Sequence, residues 1–180
     1  MRLATSTDDE PDVTSMLLLR VAGRRLALRQ TEIAEILPLP HLTPLPEAPP
    51  ILLGAFRLSR EIVLVLPLAG LLGLTGPSEG TALYHHLLLM PAGGGPAGRG
   101  QPRLAFLADR VTELVTAQPR PVAPGESFNG CVEAEIRVEA ELVPVIAAHR
   151  LVTAYEAERL RAFAMRQAVR DAVFATAGSG

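Results

Sequence analysis

Apolar residues in this chain come in short runs separated by turn residues, a texture of strands more than of helices. Leu17 to Val21 is a β-type run, Ala22-Gly23-Arg24 a tight turn and Leu26 to Leu28 a second strand, so the first predicted element is a hairpin. Thr31-Glu32 opens a short helical turn before a strand over Ile33 to Leu37, which Pro38 and Pro40 close. Pro44, Pro46, Pro49 and Pro50 then hold the chain extended, as a connector between elements in preference to an SH3-type ligand. Gly54 to Leu58 and Ile62 to Leu66 are two strands joined by a short charged turn, and Pro67 ends the second before a helical turn over Leu68 to Leu72.

The second half repeats this order. Leu87 to Met90, Leu104 to Leu107, Val111 to Val115 and Leu142 to Ile146 answer the strands of the first half, and Gly130 answers Gly54. The repetition predicts an all-β protein of two similar units, each curling its sheet to hide its edges, with one unit over about 16–74 and the other over about 83–148. Residues 1–15 read as a disordered polar leader, Pro91 to Gly100 as a glycine-rich insertion, and Leu151 to Phe174 as a C-terminal helix. Two apolar stripes are available on that helix, Leu160 with Phe163 and Gln167, or Met165 with Val169 and Val173.

Composition narrows the chemistry. With 180 residues and 48% hydrophobic content the chain can bury one substantial core. A net charge of -2 and 4% aromatic residues argue against nucleic acid as partner. A single cysteine, Cys131, forms no internal disulfide, the amino terminus lacks the pattern of a secretory signal, and the apolar runs fall short of a membrane span, so the expectation is a cytoplasmic protein without direct membrane insertion. All the basic residues are arginine.

No catalytic, metal or cofactor constellation emerges. Adjacent His85 and His86 on a strand point to opposite faces and cannot share a metal. The Gly93-Gly94-Gly95 run has no lysine to reach a phosphate. Glu133 with Glu135, and Glu139 with Glu141, read as the solvent face of a hairpin around Arg137. A small β-barrel hydrolase using Ser59 or Cys131 is the enzymatic alternative, and neither residue has a base and an orienting group near it in the sequence.

Four segments together resemble the CheW family of bacterial chemotaxis coupling proteins: LLLRVAGRRLALRQTEIAEILP, LTPLPEAPPILLGAFRLSREIVLVLPLAGLLGL, RLAFLADRVTELVTAQPRPV and FNGCVEAEIRVEAELVPVIAAHRLV. The similarity runs from about Met16 to Thr153, and the Leu-Ala-Asp-Arg-Val at 107–111 is among its more specific parts. The resemblance implies two SH3-like five-stranded β-barrel subdomains followed by the C-terminal helix. It also implies a non-enzymatic adaptor, without cofactor, that couples the cytoplasmic tip of chemoreceptors to the regulatory domain of a CheA-type histidine kinase. A divergent adaptor of a non-flagellar system such as pilus-based motility is the variant.

By position, the resemblance puts Ile33 and Glu35 near the groove between subdomains and makes Gly54 and the Arg57-Leu58-Ser59-Arg60 turn the receptor-facing corner. The family's turn typically reads Asn-Leu-Arg-Gly, so here Ser59 stands for the usual arginine and Arg60 for the usual glycine. Pro67 stands where an aspartate is common.

Overall fold

Met16, Leu17, Leu18 and Leu19 are all buried, which a strand with one wet face would not allow. The structure, a computed structural model, describes residues 13–59, 61–77, 84–92, 102–123, 130–153 and 156–166. Most of the predicted leader, Arg60, most of the 91–100 insertion and the helix beyond 166 lie outside the described residues.

Eleven strands are named among those residues: β1 (Thr14–Val21), β2 (Arg24–Arg29), β3 (Glu35–Pro38), β4 (Gly54–Leu58), β5 (Glu61–Pro67), β6 (His86–Leu89), β7 (Arg103–Ala108), β8 (Arg110–Ala117), β9 (Arg120–Pro121), β10 (Val132–Val138) and β11 (Glu141–Ile146). They form two curled sheets, a six-stranded one in the order β8-β1-β2-β11-β10-β9 and a five-stranded one in the order β3-β6-β7-β5-β4. The all-β, two-subdomain expectation holds, with six strands in place of five in the first sheet.

The sheets do not follow the expected halves at 16–74 and 83–148. The six-stranded sheet draws β1 and β2 from the start of the chain and β8 to β11 from its end, while the five-stranded sheet is the contiguous middle. The chain crosses between sheets after the 3-10 turn Gln30–Glu32 and again at Asp109. Two parallel pairings, β2 with β11 and β5 with β7, join segments far apart in sequence. A repeated pattern of apolar runs identifies strands; it does not identify their partners.

Strand alternation divides the apolar side chains among three cores. Leu17, Leu19 and Val21 of β1 enter a central core between the sheets, and Met16 and Leu18 enter the interior of the six-stranded sheet. In the same way β5 sends Leu64 and Leu66 to the central core and Val63 and Val65 into the five-stranded sheet. Each fully buried Leu or Phe contributes about 1.5–3 kcal/mol, so these two-faced strands hold both layers together. Ile62, expected in the core, is 38% exposed because it stands at the open end of β5.

Beyond β5 comes the short helix α1 (Leu68–Leu71), where the helical turn was expected. The C-terminal helix, α2, runs through 156–166 and docks on its own fold: Ala157, Leu160 and Phe163 join the central core, while Met165 is exposed. Its start is a capping box. The Thr153 hydroxyl accepts from the Glu156 N–H at 3.2 Å, and the Glu156 carboxylate accepts from the Thr153 N–H at 2.8 Å.

Candidate docking surface

β4 and β5 pair in register from Gly54 opposite Val65 to Leu58 opposite Glu61, and the turn between them begins at Ser59. Ser59 has φ +56, the left-handed region that costs an L-residue about 1–2 kcal/mol. The turn is stitched to the rest of the sheet from one side, where Arg103 donates to the Glu61 carboxylate at 3.0 Å and to the Met90 carbonyl at 3.3 Å. Ser59 itself is exposed.

Arg57 lies opposite Ile62 and shares its face of the sheet. That face carries Leu64 and Ala55 into the central core further in; towards the turn it surfaces as Arg57 and Ile62, the latter 38% exposed. Arg57 is exposed and makes no ion pair among the described residues. The corner therefore offers one guanidinium beside one partly exposed aliphatic side chain, Ile62, on a frame fixed by a five-residue strand ladder.

Gly54 serves this frame from inside. It is buried, and a Cβ there would stand 3.1 Å from the Thr43 carbonyl oxygen and 3.2 Å from Leu42 Cβ. Glycine lets the Pro-rich connector lie this close to β4, where Thr43 and Ala55 exchange backbone hydrogen bonds at 2.8 and 3.0 Å; a side chain would push the connector outward by a few tenths of an ångström. Its place in the fold is the close approach of two backbones, with no side chain to offer a partner.

Ile33 and Glu35 lie elsewhere. Ile33 is half-buried against the central core, and Glu35 is exposed on β3, the strand at the opposite edge of the five-stranded sheet from β4. Three strands separate them from the Arg57 corner, so the six sequence-predicted residues do not form one cluster.

The surroundings of the two enzymatic candidates, Cys131 and Ser59, are described by the residues placed around them. Cys131 is 6% exposed; burial is the main influence on its thiol and raises its pKa, with Glu156 adding to the shift and Arg150 opposing it. A thiol held protonated is a poor nucleophile. Ser59 has no hydrogen-bond partner among the described residues, and His149 is engaged with Glu32 at 3.1 Å. His86 Nδ1 accepts from the Val111 N–H at 3.4 Å, and no group of metal-binding residues assembles among the described residues.

Sequence reasoning missed several contacts that position the surfaces. Asp109, at the second crossover, accepts from the Ala22 N–H at 2.7 Å and donates its own N–H to the Arg20 carbonyl. Glu32, at the first crossover, accepts from the Ala148 N–H at 3.3 Å as well as meeting His149. Glu133 pairs with Arg29 at 2.6 Å and Glu141 with Arg25 at 2.9 Å, so these two acids are cross-strand partners and not a bare solvent face. Glu139 is in the β10–β11 turn at φ +55, so it does not share a strand face with Glu141.

A family model for the CheW-like domain matches residues 15–156. The chain belongs to the CheW-like domain family. Among solved structures it is similar to the scaffolding protein TtCheW from Thermoanaerobacter tengcongensis, at 16% identity and a TM-score of 0.67, covering 85% of this chain and 96% of that one. At that identity the likeness shows the fold. No curated protein sequence matches the chain. Among the described residues no helix is long and apolar enough to cross a membrane. Within this CheW-like frame the β4–β5 turn begins at Ser59, whose backbone is left-handed.

Proposed function

We propose that the chain is a non-enzymatic adaptor of a bacterial chemosensory system. It couples the cytoplasmic tip of chemoreceptors to the regulatory domain of a CheA-type histidine kinase by docking, without turnover or cofactor, in the cytoplasm. Family membership supports the general role, and the structural relative is itself described as a scaffolding protein. The observation that carries the reading is the β4–β5 corner, where Arg57 and Ile62 are presented on a rigid ladder. A guanidinium flanked by aliphatic surface is the kind of anchor that contributes most to protein interfaces. Ser59 begins the turn of this corner and Arg60 follows it in the sequence, while Gly54 supports the corner from inside. Ile33 and Glu35 belong to a second contact region on the β3 side. The replacement of the family's Arg-Gly by Ser59-Arg60 favours a partner outside the flagellar system, such as a pilus-linked array.

The test is co-sedimentation of the purified full chain with receptor cytoplasmic domains and the CheA-type kinase of the same cell. The expected outcome is a ternary complex that pellets only when the chain is present. Absence of the chain from every such complex contradicts the proposal.

A further inference from the structure

α1 ends in a Schellman turn: the Gly73 N–H donates to the Gly70 carbonyl at 3.2 Å, the Leu74 N–H donates to the Ala69 carbonyl at 2.9 Å, and Gly73 takes φ +62. The chain then crosses to the six-stranded sheet, where Gly76 packs so closely on the β1–β2 turn that a Cβ there would stand 2.6 Å from the Ala22 carbonyl oxygen. Residues 72–76 are thus a strap fixed at both ends, by α1 on one side and by the β1–β2 turn on the other.

Between the strap and the sheet lies a half-open cleft of about 360 Å³. Leu26, Val132, Pro144 and Ile146 line it from the sheet, and Leu72 and Leu74 line it from the strap. Leu26, Leu72 and Ile146 are buried and form its floor. The one charged side chain in the lining is Arg24, at the exposed start of β2, and no acid lines the cleft. Arg24 makes no ion pair among the described residues, whereas its neighbour Arg25 is matched by Glu141 at 2.9 Å. The Gly73 and Leu74 N–H groups are spent in the Schellman turn, so the strap offers the cleft little polarity beyond the exposed Thr75.

We infer that this cleft is a binding site for a small apolar carboxylate, such as a medium-chain fatty acid, with its carboxylate on Arg24 and its hydrocarbon between strap and sheet. Ligand sites run from about 300 to 1,000 Å³, with apolar walls and a few polar groups that fix orientation. One turn of a helix about 10 Å across fills roughly 400 Å³, so a partner helix would seat less than a turn here. A nucleotide or phosphate dianion asks for several donors, and the lining supplies one guanidinium and one hydroxyl. A cation meets Arg24 and no acid. The carboxylate pairs with the free guanidinium, and the chain covers the apolar floor. The cleft is separate from the Arg57 corner, so its failure would leave the adaptor reading untouched.

The test uses the full chain and decanoate below its micelle concentration, followed by calorimetric titration and by the amide shifts of an isotope-labelled sample. Decanoate is expected to bind, to raise the melting temperature and to shift the amides of 72–75, Val132 and Ile146 most. Decanol and decylamine keep the chain and lose the anion, and should bind at least about tenfold more weakly. Arg24→Gln should weaken decanoate binding by the same factor with the melting temperature of the free protein unchanged, while Arg24→Lys, which keeps the charge, retains most of the affinity. Arg137→Gln, at an exposed site outside the cleft, should bind as the wild type does. Absence of binding, shifts centred elsewhere, equal binding of decanol, wild-type affinity in Arg24→Gln, or an equal loss in Arg137→Gln would overturn the inference.

Discussion

Ala22-Gly23 and the turn that begins at Ser59 close hairpins in the two sheets, and both begin with a non-glycine residue at positive φ, +48 at Ala22 and +56 at Ser59. The backbone cost is similar; what surrounds it is not. At the first turn Asp109 captures the Ala22 N–H at 2.7 Å, and Gly76 packs so closely that a Cβ there would stand 2.6 Å from the Ala22 carbonyl oxygen. That turn is held between a crossover and the segment after α1, where it locks the two sheets together. Ser59 projects without such a contact among the described residues. Strain offset by neighbours ties the first turn into the fold, whereas at Ser59 the positive φ serves only the tight hairpin itself.

The sharpest way to break this comparison is Asp109→Ala. It leaves the Ala22 N–H partly buried and unpaired, and urea unfolding should show a loss of about 1–3 kcal/mol. A loss under about 0.5 kcal/mol would make the two turns equivalent and remove the distinction.

The fold was legible in the sequence as far as single strands go, and pairing was not. The run Leu17 to Val21 is apolar at every position but Arg20 because both its faces meet a core, and that same continuity hides which face looks where. The six-stranded sheet joins β1 to β8 by an antiparallel ladder and β2 to β11 by a two-residue parallel one, and neither long-range pairing leaves a local signature. The Arg57 corner was legible because a charged turn between two apolar runs is a local pattern. The roles of Asp109 and Glu32 were not, since each reaches a backbone N–H distant in sequence, 87 and 116 positions away. Thr153 and Glu156 carried a local capping signal that could have fixed the start of α2.

A smaller effect sharpens the other side of the comparison. Ser59→Gly relieves the left-handed backbone and should raise stability by up to about 1 kcal/mol, partly offset by the freer unfolded chain. A measured loss in thermal unfolding would show that the serine side chain stabilises the turn.

The smallest effect on stability, and the largest on binding, is expected at Arg57. Arg57→Ala should shift the unfolding free energy by less than about 0.5 kcal/mol, since the side chain is exposed and makes no ion pair among the described residues. Calorimetric titration of this variant against the receptor cytoplasmic domain tests the account most directly. The account predicts binding weaker by about 1–3 kcal/mol at an unchanged melting temperature. Wild-type affinity in Arg57→Ala would contradict it and reduce the corner to a turn.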